Sequence, residues 1–317
     1  MAKDLDLITV GRISVDLFAE QINTSFSQPQ TFHKSIGGSP TNVAVAAAKL
    51  GHSSAIVTKV GVDPLGEYVL NKLKSFGVNT DFVKVAESGL TPVVLASQDP
   101  PEDPKIIFHR QTSAPDTQLQ VGDLDSNSLL SAKIFWVSAC ALCQAPTSES
   151  IFTWLEQRGR ASQTIIDLDY RPSFWKDVTA ARKAAQRAIA NCTIAIGNIT
   201  ECDVALGLKD PHKAAQDLLD RGVALAIVKM GGDGVMLANK DEIHVIKPMP
   251  IKLVCGLGAG DAFGGALVHG LLSGWGLKEI GEFANGAGAY LASELMCSDA
   301  MPTVDILNSF ISAGGRR

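Results

Sequence analysis

The sequence predicts an α/β protein with a doubly wound, mostly parallel central sheet, helices on both faces and a small β-strand lid. Short apolar segments alternate with segments of helical periodicity along most of the 317 residues. Glycines recur where strands give way to helices, and sheets of this kind bind ligands at their carboxyl edge. Hydrophobic residues make up 46% and charged residues 19% of the chain, a normal globular balance. We expect one domain over residues 1–317.

The first half of the chain predicts two strand-helix pairs. They are the strand "DLDLITVG" with the helix "SPTNVAVAAAKLG", and the strand "SSAIVTKVG" with the helix "DPLGEYVLNKLKSFG". Gly51 ends the first helix, whereas Asp63 caps the second, with Pro64 in its first position.

Two segments interrupt this alternation. Residues 13–36 alternate loosely between polar and apolar side chains, and residues 90–115 hold two short strands joined by the proline-rich turn "DPPEDP". We expect both segments to form a small lid over one edge of the main sheet. The exposed strand edges of such a lid can pair with a second copy, which makes a homodimer possible.

The alternation resumes at residue 133. Four strands are predicted, in "KIFWVSA", "QTIIDLD", "TIAIGN" and "ALAIVKMG". Helices are expected between them at about 147–158, 177–190 and 211–221. A hairpin in "GVMLANKDEIHVI" and helices at about 260–273, 278–295 and 303–313 complete the chain.

Charge and composition exclude several classes of partner and site. The net charge of −5 leaves no basic footprint for nucleic acid. No basic-then-apolar leader or long unbroken apolar stretch occurs, so we expect a cytoplasmic protein without a membrane span. Six scattered cysteines fit free thiols in a reducing compartment. Cys140 and Cys143 form a C-x-x-C pair without further ligands at zinc spacing, and we expect no metal there.

A glycine-rich turn, "CGLGAGD", places Asp261 at the start of a late helix. Such a turn exposes helix N–H groups to an anion. The sequence has no Gly-Lys of a P-loop, and Asp261 replaces the last glycine of a dinucleotide fingerprint. Asp261 fits instead as the group that accepts a hydroxyl proton during phosphoryl transfer. A simple N-cap is the alternative, but it leaves the glycines unexplained.

Two segments resemble the signatures of a known family. "GAGDAFGGALVHGL" resembles the C-terminal signature of the PfkB (ribokinase) family of sugar kinases, and "GGSPTNVAVAAAKLG" resembles its N-terminal signature. The resemblance covers nearly the whole chain. It implies a ribokinase-like fold in which ATP and a sugar meet at the sheet edge beneath a β lid.

The resemblance assigns catalytic and sugar-binding roles. Asp261 would be the catalytic base, and the amides of three residues would form the anion hole: Gly258, Ala259 and Gly260. Four positions would hold the sugar: Asp16, Gly37, Gly38 and Asn42. Each of these four has a plainer alternative, such as an ordinary turn, a first-turn helix residue or a solvated strand end.

The resemblance also implies a magnesium ion and a nucleotide. Asn198 and Glu201 match the N-x-x-E of the family and would help to order Mg²⁺ near the triphosphate of ATP. The alternative is a helix start capped by Thr200. The nucleotide would contact a lysine, the glycines of two turns and an asparagine: Lys229, Gly231, Gly232, Gly234, Gly258 and Asn285. Helix packing is the alternative for the segment that carries the asparagine.

The chain differs from many family members in the residues just before the glycine turn, where a monovalent cation could bind. Many members carry a polar run such as Asp-Thr-Thr where this chain has Cys255, Gly256 and Leu257. The departure leaves open whether a monovalent cation binds there. It does not alter the base or the anion hole.

Charged residues near the sheet edge indicate an acidic sugar. "IIDLDYRPSFW" places Asp169 and Arg171 at the carboxyl end of a strand, and Arg110 stands on the proposed lid. The planar donor fork of arginine suits a carboxylate, which neutral sugars lack. We therefore expect these three residues to contact the substrate. A surface salt bridge is the alternative for Arg171.

The same run, "DYRPSFW", resembles the sugar-acid branch of the family. That branch includes 2-keto-3-deoxygluconate kinases and, most similar, the 5-dehydro-2-deoxygluconokinases of inositol catabolism. The resemblance implies transfer of the γ-phosphoryl group of ATP to a primary hydroxyl of a keto-deoxy sugar acid. The alternatives are a neutral-sugar kinase such as a fructokinase or ribokinase, a nucleotide-cofactor oxidoreductase, and a catalytically silent sugar sensor.

Overall fold

The computed structural model describes residues 5–101 and 104–315. In chain order, the strands within them are β1 Leu7–Val10, β2 Ser14–Ile22, β3 Phe32–Gly37, β4 Ser54–Val60, β5 Val83–Val85, β6 Val93–Gln98, β7 Ile106–His109, β8 Ile134–Ser138, β9 Gln163–Asp167, β10 Ile194–Asn198, β11 Leu225–Lys229, β12 Val235–Ala238 and β13 Ile243–Ile246. The α-helices are α1 Ser39–Lys49, α2 Pro64–Ser75, α3 Ser126–Ser131, α4 Thr147–Arg158, α5 Val178–Ile189, α6 Ile199–Leu206, α7 Pro211–Asp220, α8 Ala259–Ser273, α9 Leu277–Ala292 and α10 Val304–Ser312.

The structure confirms the doubly wound, mostly parallel sheet. Its strands lie in the order β13-β12-β11-β10-β9-β8-β1-β4-β5, and the pairs are parallel except β11 with β12 and β12 with β13. The strand β5 was not predicted, because three residues are too few to show a period. The chain leaves β1 for β4 on one side and continues later from β8 on the other. The carboxyl ends of β1 and β8 therefore diverge at a topological switch point.

Two cores cover the two faces of this sheet. In β8, Ile134 and Trp136 face a core that includes residues of α1, α8 and α9, whereas Phe135 and Val137 face a core that includes residues of α4, α5 and α7. All four side chains are fully buried. Burial on both faces explains why the predicted strands are continuous apolar runs.

Helices α1 and α8 pack closely because α8 carries glycines where the helices meet. A Cβ on Gly265 would lie 2.3 Å from Cβ of Ala46, and one on Gly264 would lie 2.8 Å from the ring of Trp136. A side chain at either glycine would force its neighbours to move. The close contact brings the N-terminal turns of α1 and α8 together.

The remaining strands form a second sheet in the two segments predicted for the lid. Their order is β3-β2-β6-β7, with β2 antiparallel to β3 and parallel to β6, and β6 antiparallel to β7. Asp4 of the first predicted strand and Glu102 and Asp103 of the predicted turn lie outside the described residues. The assignment of one domain over residues 1–317 stays a prediction.

None of the helices in the described part of the chain has both the length and the apolar character that crossing a membrane requires.

Candidate active site

Three adjoining cavities follow the carboxyl edge of the central sheet. The central cavity, of about 340 Å³, is lined by residues that include Asp167, Arg171, Lys229 and Asp261. A lid cavity, of about 50 Å³, shares Arg171 and Asp261 with it and extends beneath the lid sheet. A glycine-turn cavity, of about 420 Å³, meets the central cavity at Lys229 and Gly260. The central and lid cavities therefore meet beside Asp261, and the central and glycine-turn cavities meet at Lys229.

The turn before α8 leaves the first amides of that helix without intrahelical acceptors. Gly258 is the N-cap, with φ 79°, and a Cβ there would lie 2.6 Å from Sγ of Cys297. The helix begins at Ala259, so the N–H groups of Ala259 and Gly260 remain available to an anion. Asp261 lies inside the helix and is not its cap, so the capping alternative is wrong.

Asp261 is a partly buried carboxylate that lines both the central and the lid cavity. Its Oδ2 accepts a hydrogen bond from Nδ2 of Asn42 at 2.7 Å. Burial raises the pKa of Asp261 to about 6, although the hydrogen bond from Asn42 lowers it. A carboxylate with a pKa this close to neutrality can both accept and release a proton under physiological conditions.

Lys229 stands at the end of β11, between the central and glycine-turn cavities. Its Nζ lies 4.0 Å from Oδ1 of Asp167 and 3.1 Å from where a Cβ of Gly260 would be. Burial alone would lower the pKa of Lys229, but carboxylates including Asp167 and Glu201 outweigh burial and raise it. Lys229 therefore carries a positive charge beside the open amides of α8.

Asn198 and Glu201 form a reciprocal cap at the start of α6. Oδ1 of Asn198 accepts from the backbone N–H of Glu201 at 2.9 Å, and Oε2 of Glu201 accepts from the backbone N–H of Asn198 at 2.7 Å. The sequence alternative of a capped helix start is thus present, with Asn198 rather than Thr200 as the cap. Both residues also line the central cavity.

These two residues fit a magnesium ion that is held mainly by its nucleotide. Mg²⁺ keeps several waters and takes one or two carboxylates together with phosphate oxygens. Glu201 supplies one carboxylate at the cavity wall, with 6% of its surface exposed. Within the described residues no cluster of three or more His, Cys, Asp or Glu side chains forms an all-protein metal cage.

Asp16 reaches the lid cavity from β2. Gly37 makes room for its carboxylate, and Gly38 makes room for the backbone of Arg12 just before β2. A Cβ on Gly37 would lie 1.8 Å from Oδ2 of Asp16, and one on Gly38 would lie 2.3 Å from the carbonyl oxygen of Arg12. Gly38 has φ 104°. Burial raises the pKa of Asp16, which is partly offset by Arg12 and by a 2.6 Å hydrogen bond from Oγ of Ser14.

Asp169 and Arg171 form an ion pair on the wall of the central cavity. Nη2 of Arg171 lies 3.4 Å from Oδ1 of Asp169, which matches the salt-bridge alternative for this arginine. Oγ of Ser138 donates to Oδ2 of Asp169 at 2.8 Å, and Sγ of Cys140 donates to its carbonyl oxygen at 3.1 Å. The arginine side chain is still 39% exposed, so it can also contact a ligand.

Arg110 directly follows β7 of the lid sheet and pairs with a buried carboxylate. Its guanidinium forms a two-pronged ion pair with Asp116, with Nη2 2.8 Å from Oδ2, and the two side chains are 6% and 1% exposed. Arg110 also stacks over the ring of Phe174 at 4.8 Å. Arg110 lines neither the central nor the lid cavity. This ion pair gives Arg110 a structural role, and its direct contact with the substrate stays a prediction.

Arg12, which sequence analysis missed, occupies the position expected for Arg110. Arg12 follows β1 at the switch point and lines the lid cavity together with Arg171. Its guanidinium lies over Phe108 at 5.3 Å and donates one hydrogen bond to Oγ of Ser14 at 3.2 Å. No carboxylate of the described residues lies within 4.0 Å of it. Its place directly after a buried strand was the signal that could have found it.

The glycine-turn cavity has a mostly apolar wall. It brings together the predicted Gly231, Gly232, Gly234 and Asn285 with Ile251, Leu253 and Gly288. Gly234 has φ 93°, and a Cβ there would lie 1.9 Å from the carbonyl oxygen of Ile246, so this position requires glycine. Nδ2 of Asn285 donates to the carbonyl oxygen of Lys247 at 2.9 Å, which fixes one edge of the cavity.

Two curated relatives with similar sequences carry the same name. A 5-dehydro-2-deoxygluconokinase of Geobacillus thermodenitrificans is 32% identical over 316 residues, which cover 98% of this chain and 94% of that protein. A 5-dehydro-2-deoxygluconokinase of Clostridium beijerinckii is 32% identical over 321 residues, with the same coverage.

Solved structures show the same fold at lower identity. A ribokinase II candidate from Escherichia coli, in complex with ATP and Mg²⁺, superimposes with a TM-score of 0.89 at 22% identity, over 98% of this chain and 99% of that one. A fructokinase from Xylella fastidiosa with bound ATP gives a TM-score of 0.84 at 21% identity, over 97% and 98% of the two chains. Residues 4–304 match the pfkB family carbohydrate kinases. The chain is a member of that family.

Proposed function

We propose that this protein transfers the γ-phosphoryl group of ATP to a primary hydroxyl of a keto-deoxy sugar acid, 5-dehydro-2-deoxy-D-gluconate. The observation that carries the proposal is Asp261, a partly buried carboxylate with a pKa of about 6 that stands beside open helix amides and lines both the central and the lid cavity. The names of the curated relatives support the substrate, and family membership supports the reaction.

In the proposed reaction, Asp261 accepts the proton of the sugar hydroxyl while the oxygen of that hydroxyl forms a bond to the γ-phosphorus of ATP. The bond from that phosphorus to the bridging oxygen of ADP breaks in the same displacement. The amides of Ala259 and Gly260 and the ammonium group of Lys229 face the place where negative charge is spread over the phosphoryl oxygens. These groups are already in place, so little reorganisation is needed.

The glycine-turn cavity is the proposed nucleotide site. Its apolar wall at Ile251 and Leu253 suits a flat base, and the small residues Gly288 and Ala289 leave room for it. Lys229 at the inner end would meet the phosphates. Asn198 and Glu201 would hold the Mg²⁺ that neutralises phosphate charge when it is bound.

The lid and central cavities are the proposed sugar site. Asp16 and Asn42 can hydrogen-bond sugar hydroxyls. Arg12 and Arg171 can bind the carboxylate of a sugar acid through their planar donor forks. With Arg110 engaged by Asp116, this pair of arginines supports an acidic substrate.

A coupled ADP-release assay over a panel of sugars and sugar acids tests the proposal. We expect the highest kcat/KM with 5-dehydro-2-deoxy-D-gluconate. Preference for 2-keto-3-deoxygluconate, fructose or ribose would assign another branch of the family. No turnover with any of them, together with thermal stabilisation by NAD and not by an ATP analogue, would favour a nucleotide-cofactor oxidoreductase.

Cellular context and assembly complete the proposal. The need for ATP and the six free, scattered cysteines support a location in the cytoplasm. The proposed substrate supports a role in inositol catabolism. The edge strands of the lid, β3 and β7, can pair with a second copy, which supports a homodimer. Light scattering would measure the mass, and a monomer at assay concentration would contradict the dimer.

A further inference from the structure

Three consecutive residues, Cys297, Ser298 and Asp299, lie between the lid sheet and the catalytic residues. They follow α9: Cys297 caps the short helical turn Ser298–Ala300, and Ser298 and Asp299 lie within it. Sequence analysis gave none of them a role. Each contacts a different part of the proposed site, so they join parts of the molecule that are distant in sequence.

Ser298 holds the amide of Asn42 against the catalytic base. The Ser298 hydroxyl is fully buried and donates to Oδ1 of Asn42 at 2.7 Å. The other end of the same amide, Nδ2, donates to Oδ2 of Asp261 at 2.7 Å. Without the hydroxyl, the buried amide oxygen of Asn42 would lose this donor, and the side chain would no longer be fixed in the orientation that donates to Asp261.

Cys297 contacts both the anion hole and the lid. Its Sγ lies 2.6 Å from where a Cβ of Gly258 would be, so it packs directly beneath the turn that opens the helix amides. Cys297 also forms a small apolar cluster with Phe18 of β2 and Ala96 of β6, both in the lid sheet. The anion-hole turn and the lid therefore share one packing partner.

Asp299 ties the same turn to the outer strand of the lid. Its carboxylate accepts hydrogen bonds from Oγ of Ser35 on β3 and from Nζ of Lys72 on α2. Ser35 pairs in register with Asp16, which lines the lid cavity. A shift of Asp299 would move the strand that faces the sugar-binding carboxylate.

We propose that residues 297–299 are a positioning element that holds the lid sheet, the amide of Asn42 and the catalytic base in one arrangement. This inference rests on the proposed function, since it requires Asp261 to act as the base. Ser298 acts through Asn42 and is a positioning residue rather than a catalytic one. Asp299 acts through Ser35 on the sugar side of the site.

Ser298→Ala tests the connection to the base through the pH dependence of activity. Loss of the Asn42 donor should raise the pKa of Asp261 by about one unit or more, because hydrogen bonding to the ionised form favours that form. Since the base must be ionised, kcat/KM should fall about tenfold on the acid side and recover to within about twofold of the wild type at pH ~9. A purely structural defect would lower kcat/KM by the same factor at every pH.

The variant leaves the charged and titratable groups around Asp261 in place, so a shift of the acid limb reports on Asn42. These groups are Asp167, Asp169, Arg171, Lys229 and Cys297. Ser298→Thr keeps a hydroxyl and should restore the wild-type profile. Ser309→Ala removes an exposed serine of α10 and should leave the profile unchanged.

The outcomes separate this inference from the proposed function. An unshifted acid limb in an active Ser298→Ala enzyme would overturn the inference. If that variant does not fold, Ser298→Cys, with its weaker donor, should show a smaller shift in the same direction, and no shift would overturn the inference. A wild-type protein without kinase turnover would instead refute the proposed function.

Asp299→Ala tests the connection to the lid. It should raise the KM for the sugar about three- to tenfold, since a charged hydrogen-bond acceptor of the lid strand is lost. The KM for ATP should stay the same, because the glycine-turn cavity does not include this turn. An unchanged KM for the sugar would overturn the lid part of the inference.

Discussion

The central cavity and the glycine-turn cavity meet at Lys229 but differ in the side chains that line them. Around the central cavity, buried carboxylates such as Asp169 are paired with cations such as Arg171. The wall of the glycine-turn cavity includes Ile251, Leu253 and a series of glycines. If the sugar and the nucleotide occupy the proposed cavities, this difference predicts that the sugar is selected by charge and the nucleotide by shape and apolar contact.

The largest expected effect comes from Asp261, the carboxylate that lines the central and lid cavities. Asp261→Asn keeps the size of the side chain but removes the base, so turnover should fall about 10²- to 10⁴-fold. Stabilisation by ATP in a thermal shift assay should persist. Asp305→Asn, an exposed position on α10, is the matched control. Turnover of Asp261→Asn within a few-fold of wild type would show that the base lies elsewhere.

The second prediction concerns Arg110, which we expect to stabilise the fold. Arg110→Ala leaves the carboxylate of Asp116, 1% exposed, without its partner, so the free energy of unfolding should fall by about 3–5 kcal/mol. Urea unfolding would measure this loss. The ratio of kcat/KM for acid and neutral sugars should not change in the folded enzyme. A changed ratio with unchanged stability would return Arg110 to the substrate site.

The third prediction concerns an arginine that serves the ligand. Arg12→Ala should lower kcat/KM for the sugar acid by roughly ten- to a hundredfold, because it removes charged hydrogen bonds to the carboxylate. Neutral sugars should be affected little. Arg221→Ala, which removes a half-exposed ion pair with Asp217, is the control. Equal losses for acid and neutral sugars would place Arg12 at the phosphoryl group or in the fold.

A smaller effect is expected where one residue has two roles. Glu201→Gln keeps a capping side chain at the start of α6 but loses the negative charge. The magnesium concentration for half-maximal rate should rise about three- to tenfold at fixed ATP, with thermal stability nearly unchanged. An unchanged magnesium titration would leave Glu201 with the capping role alone.

The smallest effect is expected on the apolar wall. Leu253→Ala should raise the KM for ATP about two- to tenfold, since part of a leucine side chain would no longer cover the base. The KM for the sugar acid should stay the same. Leu130→Ala is the control, since both leucines are exposed, at 42% and 55%. A larger effect on the sugar than on ATP would reverse the assignment of the two cavities.

The sequence predicted the fold better than it predicted partners of charged side chains. Strands such as β8 were visible because both faces are buried and the segment is apolar throughout. Local composition is enough for an inference of this type. The close contact of α8 with α1 at Gly264 and Gly265 was not predicted, since glycines in a helix do not name the neighbour that excludes a Cβ.

Pairing between charged residues depends on the path of the chain, which composition does not show. Arg110 and Asp116 are six residues apart on a segment without a helical or strand period, so their ion pair was not predicted. Arg12 was missed because it lies between the predicted strand that ends at Gly11 and the lid segment 13–36, although it stands only two residues after β1. For Asn198 and Glu201 the sequence allowed two interpretations; the hydrogen bonds show the helix cap, and the magnesium role stays a prediction.

The burial of Asp261 also has a thermodynamic cost for the empty protein. Its pKa rises from 3.8 to about 6 on folding, so the native state binds this proton more tightly than the unfolded chain. The stability contributed by the protonated form is complete below pH ~3.8 and is lost as pH rises through about 6. At neutral pH the carboxylate needed for the reaction therefore destabilises the fold, and we expect Asp261→Asn to unfold at a higher temperature than the wild type while its turnover falls.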